Sequence, residues 1–134
     1  MHPPQTFSKQ ERLKSRKLIG QLFKEGRSFN IFPFKTYYLF PEERDAFLQA
    51  GFVVPSKLFK KAVHRNRIKR LMKEAYRFEK KVLEQSLVNK QNRLAVFFVY
   101  TGRELPLFAQ VSGSMRSIIQ KLTRIVHEKA PVHT

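Results

Sequence analysis

Apolar residues change their spacing several times along the chain, and each change marks an element. Between Ser15 and Glu25 the apolar positions Leu18, Ile19, Leu22 and Phe23 recur at helical spacing. Ser15 is a capping residue and Gly26 a natural stop. From Ser28 to Phe40 the chain turns aromatic and extended. Pro33 interrupts that run and marks a bulge or a strand edge. Pro41 to Asp45 reads as a turn, and Phe47 to Val54 as a second extended run, so the two runs predict a hairpin. A basic connection, Lys57 to Lys61, leads into a long helix predicted from about Lys61 to Ser86. Leu94 to Thr101 is apolar without alternation, which predicts a strand central in its sheet, ended by Gly102. A last helix from about Leu107 to His127 carries Met115, Ile118, Ile119, Leu122 and Val126 on one face, with Gly113 a weak point in its first turns. The order predicts one α+β domain, a small sheet packed against helices, over residues 11–128. Residues 1–10 and 129–134 read as tails, the first of them flexible.

The long helix changes the picture from fold to partner. Lys57 to Lys81 holds eleven basic residues and two acidic ones, a net +9 within 25 residues. At about 100° per residue, Ile68, Leu71, Met72, Ala75, Phe78 and Val82 fall on one side. Asn66, Arg70, Lys73, Arg77 and Lys80 fall on the other, and Arg65 and Arg67 flank the apolar stripe on opposite shoulders. A solvated helix face normally mixes signs and gains from Glu–Lys pairs four apart. This one is nearly all of one sign, which costs stability in the free protein and points to a polyanion. Arginine's planar fork suits phosphate and base edges better than lysine does.

The whole chain carries the same bias, with 27 Lys and Arg against 10 Asp and Glu and a formal charge of +17. Such a balance favours nucleic acid over an anionic membrane or polysaccharide. The 134 residues are enough for one core, and 13 of them are Phe. Cysteine is absent, which removes disulfides and thiolate zinc sites and fits the cytoplasm. The start is not that of a signal peptide, and the longest apolar segment, Leu94 to Tyr100, has 7 residues against about 20 needed to span a bilayer. Six rings (Phe29, Phe32, Phe34, Tyr37, Tyr38 and Phe40) crowd one strand region, more than one face of a short strand buries. Rings left exposed beside cations are stacking platforms for unpaired bases; rings turned inward are ordinary core.

Catalytic constellations are missing. Glu42, Glu43 and Asp45 cluster in a turn, where solubilising roles dominate, and no other acidic pair is placed for acid–base work. His2, His64, His127 and His133 fit no zinc-ligand spacing. His64 lies among cations, where a helix-start residue near phosphate is a simpler reading than a general base. The 5 glycines form no phosphate loop.

The segment Lys61-Ala62-Val63-His64-Arg65-Asn66-Arg67-Ile68-Lys69-Arg70-Leu71-Met72-Lys73-Glu74-Ala75-Tyr76-Arg77 resembles the Arg-Asn-Arg signature helix of the bacterial ribonuclease P protein component. Arg12-Leu13-Lys14, with Phe23 and Gly26 after it, resembles the opening of that family, and Ser56-Lys57 its approach to the signature. The likeness covers residues 11–127. It implies an αβββαβα sandwich in which the basic helix joins two parallel strands by a left-handed crossover, against the usual rule. It also implies a protein subunit that binds ribonuclease P RNA and the 5′ leader of precursor tRNA. Cleavage would belong to the RNA subunit with its Mg2+, and the protein, a monomer when free, would hold no cofactor. By position, Arg65, Asn66, Arg67, Lys69 and Arg70 would face the catalytic RNA, joined by Lys73 and Arg77 of the cationic face. Ile19, Phe23, Phe34, Tyr37, Lys57 and Lys61 would line the leader cleft. Ile19 stands where many relatives have Phe, and Lys60 where many have Gly.

Three other classes share parts of this pattern. A ribosome-associated or RNA-chaperone protein would not favour precursor over mature tRNA. A DNA-binding architectural protein would prefer duplex DNA. A self-sufficient basic ribonuclease would cleave without an RNA subunit.

Overall fold

Ser15 opens the first helix, its hydroxyl accepting the Leu18 N–H at 3.2 Å. This computed structural model describes residues 7–42 and 46–129. Helix α1 spans Arg16–Glu25 and ends at Gly26, whose N–H donates to the Gln21 and Leu22 carbonyls. A Cβ at Gly26 would collide with the Leu22 carbonyl oxygen, so glycine is required there. The aromatic run that follows is two strands, β1 (Arg27–Ile31) and β2 (Phe34–Leu39), paired antiparallel around Phe32-Pro33. Strand β3 (Leu48–Val53), helix α2 (Ala62–Lys90), strand β4 (Leu94–Tyr100) and helix α3 (Phe108–Glu128) complete the order αβββαβα.

The strands lie in the order β1-β2-β4-β3. The predicted hairpin between residues 28–40 and 47–54 is therefore corrected. Strand β4 inserts between the two runs, antiparallel to β2 and parallel to β3. Its unalternating apolar sequence must be covered on both faces, and only the central slot provides that. Helix α2 is the crossover that parallel neighbours need.

Two cores result. Phe34, Val96, Phe98 and Tyr100 on one sheet face meet Met72, Tyr76 and Leu83 of α2 and Met115, Ile118 and Leu122 of α3. Leu18 and Leu22 of α1 cover the opposite face with Leu13 and Ala95. The packed structure begins earlier than residue 11. Phe7 is buried edge-on against Phe52 and Tyr76, at 5.7 and 5.8 Å between centroids. Arg12 bridges Ala50 in parallel, and the Leu13 N–H donates to the Ala50 carbonyl at 2.9 Å, covering the free edge of β3. Residues 1–6, 43–45 and 130–134, which include most of both predicted tails and the tip of the predicted turn, lie outside the described residues.

Helix α2 runs a turn further than predicted, because Leu87 continues its buried stripe. Gln91, in the left-handed region at φ 55°, closes it. The stripe itself is rotated from the predicted one. It comprises Ile68, Met72, Ala75, Tyr76, Lys80, Leu83, Ser86 and Leu87. Leu71 is half-buried, whereas Phe78 and Val82 are 62% and 50% exposed. Tyr76, fully buried against Phe98 and Phe52, turns the helix toward its own side. That rotation takes Lys80 off the predicted cationic face and into the protein.

Candidate nucleic-acid interface

Strand parity decides which rings share a surface. Lys35, Tyr37 and Leu39 of β2 alternate with Phe34, Thr36 and Tyr38, so the first three face α1 and the others face the larger core. Register then sets Tyr37 opposite Phe97, and Phe97 opposite Gly51. Phe23, at the open end of α1, is 48% exposed. Its ring lies 4.6 Å from Tyr37 and 5.4 Å from Phe97. The Lys35 ammonium stands 5.1 Å from the centroid of Tyr37. Gly51 makes room: a Cβ there would meet the Phe97 ring at 2.5 Å.

Among the residues predicted for a leader cleft, Ile19, Phe23 and Tyr37 come together on this face. Phe34 does not. It is 1% exposed, on the far side of the sheet from Tyr37, with its ring against Tyr100. Odd and even residues of a strand point to opposite faces, so Phe34 and Tyr37, three apart, cannot share one. Lys57 and Lys61 are exposed in the loop leaving β3. Phe97 and Lys35 are the members that sequence reasoning missed. Parity counted from Tyr37 would have found Lys35, whereas Phe97 required knowing that β4 sits beside β2.

The cationic surface is built on the first four turns of α2. Asn66, Arg67 and Arg70 are exposed, and Lys69, Lys73 and Arg77 are half-buried. Among the described residues the ion pairs are Lys80 with Glu11, Lys80 with Glu84 and Arg116 with Glu79, so none neutralises this face. Partial burial, and the charges of Arg12, Lys69 and Arg77, lower the pKa of the Lys73 ammonium. The Arg77 Nε is enclosed with no hydrogen-bond partner among the described residues. Arg12, brought in by the segment along β3, is thus a fourth cation beside Lys69, Lys73 and Arg77. Arg65 is placed differently: its Nη1 donates to the Phe59 and Lys60 carbonyls at 2.7 and 2.8 Å, tying down the loop before the helix. His64 lies in the first turn, half-buried.

Lys80, predicted to face outward, is 6% exposed and paired to Glu11 in a hydrogen-bonded salt bridge, with Glu84 at 4.0 Å. Burial alone would raise the Glu11 pKa, but the Lys80 ammonium and the Ser8 N–H outweigh it, and the net shift is downward. Burial and the charge of Glu11 raise Glu84 despite Lys80. This buried cluster fastens the N-terminal segment, and with it Arg12, to α2. No group of three or more His, Asp or Glu among the described residues lies close enough to hold a metal ion. Among the same residues no helix is long and apolar enough to cross a membrane.

The arrangement can therefore bind a single strand in an aromatic groove and phosphates along a helix. Residues 7–123 match a family model described as Ribonuclease P. The chain is 37% identical over 133 residues to the ribonuclease P protein component of Porphyromonas gingivalis (strain ATCC 33277), covering 97% of each chain. It is 32% identical over 135 residues to that of Chlorobium phaeobacteroides, covering 91% of this chain and 86% of the relative. The fold resembles that of the Staphylococcus aureus RNase P protein, with a TM-score of 0.67 and 22% identity over 87% of this chain and 97% of that one. It likewise resembles the RNase P protein from Thermotoga maritima, with a TM-score of 0.66 and 23% identity over 83% of this chain and 96% of that one.

Proposed function

The chain belongs to the ribonuclease P protein family and is the protein subunit of that endoribonuclease in 5′ processing of precursor tRNA; from this premise we propose that its two surfaces divide the work between two RNAs. Ribonuclease P RNA is the partner the family implies. In our reading the cationic face of α2, with Asn66, Arg67, Lys69, Arg70, Lys73 and Arg77, takes the phosphates of that RNA. Arg65 acts there by fixing the loop as well as by its charge. The groove of Ile19, Phe23, Tyr37, Lys35 and Phe97, together with Lys57 and Lys61 of the loop leaving β3, takes the single-stranded 5′ leader. The observation that carries this reading is a helix face bearing five half-buried or exposed cations with no carboxylate paired to any of them among the described residues.

The physics is charge neutralisation. Two RNAs brought together repel, and cations at phosphates release counterions and lower that repulsion. Ring stacking holds unpaired bases with little regard to sequence, which suits leaders of varied sequence. In this reading Mg2+ belongs to the RNA subunit, where the hydrolysis takes place, and the protein acts in the cytoplasm and is monomeric when free. A ribosome-associated or RNA-chaperone role and a duplex-DNA role would not give leader-dependent stimulation, and an autonomous ribonuclease would cleave without the RNA subunit.

Reconstitution tests it. The chain is added to a bacterial ribonuclease P RNA at low magnesium, and leader removal is followed with precursors of several leader lengths. We expect stimulation that grows as the leader lengthens from nothing to a few nucleotides. No stimulation with correctly folded RNA, or stimulation indifferent to the leader, would overturn the assignment.

A further inference from the structure

A second aromatic site lies at the end of the sheet where β4 terminates, and neither surface described above uses it. Phe32, in the turn between β1 and β2, is 71% exposed and has no ring partner among the described residues. Leu105 and Leu107 in the loop after β4, and Phe108 at the start of α3, are also exposed. The turn that carries Phe32 is held firmly. Ser114 donates to the Phe32 carbonyl at 2.8 Å, and the Thr101 N–H and hydroxyl donate to the Pro33 carbonyl at 2.7 and 3.0 Å. Phe32 and Leu105 share an open pocket of about 390 Å³ whose polar lining includes Arg103, Glu104 and Gln110. The Tyr100 hydroxyl, on the same wall, donates to the Glu104 carbonyl at 2.8 Å and fixes the loop.

We propose that this pocket takes an unpaired nucleotide of the ribonuclease P RNA, its base stacked on Phe32 and its phosphate beside Arg103. This rests on the reading that the α2 surface faces the same RNA. Two observations select the occupant. The first is continuity. Tyr100, on the pocket wall, packs on Phe59 at 6.0 Å between centroids, and the Phe59 carbonyl anchors Arg65 of the signature helix. One RNA on the start of α2 therefore reaches the pocket across a single layer of side chains. The second is charge. Lys57, Lys60 and Lys61 are exposed on the neighbouring loop, and a second copy of a chain with formal charge +17 would be repelled. A base supplies what the lining lacks, since its flat face covers the phenyl ring while its N–H groups donate to the Glu104 carboxylate.

Assembly of the full chain with ribonuclease P RNA is the measurement, read as an equilibrium constant, with base-specific chemical probing of the RNA alongside. For Phe32→Ala and Phe32→Leu we expect about tenfold weaker assembly, as for loss of one base–ring stack. One unpaired base should become reactive in both variants, and an unchanged thermal midpoint should accompany this. Phe32→Tyr should assemble like the parent. Parent-like assembly by Phe32→Leu with no newly reactive base would overturn the proposal while leaving the α2 reading intact. So would a loss confined to precursor affinity. If the parent chain fails to bind the RNA, or Arg70→Ala binds as well as the parent, the α2 reading falls and the pocket proposal with it.

Discussion

Neutralising Glu11 should loosen the packing behind the cationic face of α2 and be felt at that face. The Lys80 side chain is 8% exposed and that of Glu11 13%, so the pair is largely, though not wholly, shielded from water. Removing one partner of a buried pair costs about 3–5 kcal/mol because a charge is left without compensation. Here Glu84 remains 4.0 Å from the ammonium, which retains part of the compensation. For Glu11→Gln we therefore expect a loss of about 2 kcal/mol at neutral pH, below that range. For a chain of this size that is a fall of about 8 °C in thermal midpoint, followed by circular dichroism. Adding Lys80→Met should restore most of it, because a buried pair replaced by an apolar side chain is often neutral. The pH dependence carries a sign. The folded Glu11 pKa lies below its ordinary value, so its stabilisation is full above pH 4.5 and is lost as pH falls through the folded value. The raised Glu84 pKa acts oppositely: its ionised form costs stability at neutral pH, a cost relieved as pH falls through the folded value. The Glu11→Gln variant should accordingly lose less stability on acidification than the parent. Equal thermal midpoints for parent and Glu11→Gln at pH 7 would refute the reasoning, and so would a double variant no better than the single one. Because the segment carries Arg12 to the cationic face, the single variant should also bind ribonuclease P RNA more weakly.

Replacing Arg70 and Lys73 by Ala should reduce the slope of log affinity against log salt by about 1 to 2, because each phosphate contact contributes about 0.7 to 0.9, and a titration between 50 and 200 mM salt would measure it. Phe97→Ala should weaken leader-dependent substrate affinity by about tenfold with ribonuclease P RNA binding unchanged, as seen by comparing precursors with and without a leader. Phe34→Ala should instead cost about 3–5 kcal/mol of stability, and the milder Phe34→Leu should leave leader preference unchanged in the same assay. Arg65→Lys keeps the charge, but the shorter side chain ends before the position from which Nη1 of Arg65 reaches both loop carbonyls, so holoenzyme assembly should weaken although the formal charge does not change.

Much was legible in the sequence because local pattern determined it. Ser15 and Gly26 bracket α1, the unalternating run of β4 announces a central strand, and Met115 to Val126 mark the inner side of α3. The basic side of α2 was equally plain, since a helix turns neighbouring residues by a known angle. Four matters needed the tertiary structure. The partner of β3 was one, because strand pairing is set by which edges meet and not by order along the chain, and β4 took the place a hairpin would have filled. The side of Phe34 was another: an aromatic run names the rings but not their parity, and the sheet's covering helices decide which parity is inside. Phe97 entered the groove only through its register with Tyr37 and Gly51. Lys80 was the last, since a lysine is soluble by rule and buried only where a carboxylate such as Glu11, 69 residues away, arrives to meet it. Sequence spacing fixes what lies along one helix or strand. Which surfaces are then hidden depends on the elements that pack against it, and distance along the chain does not reveal them.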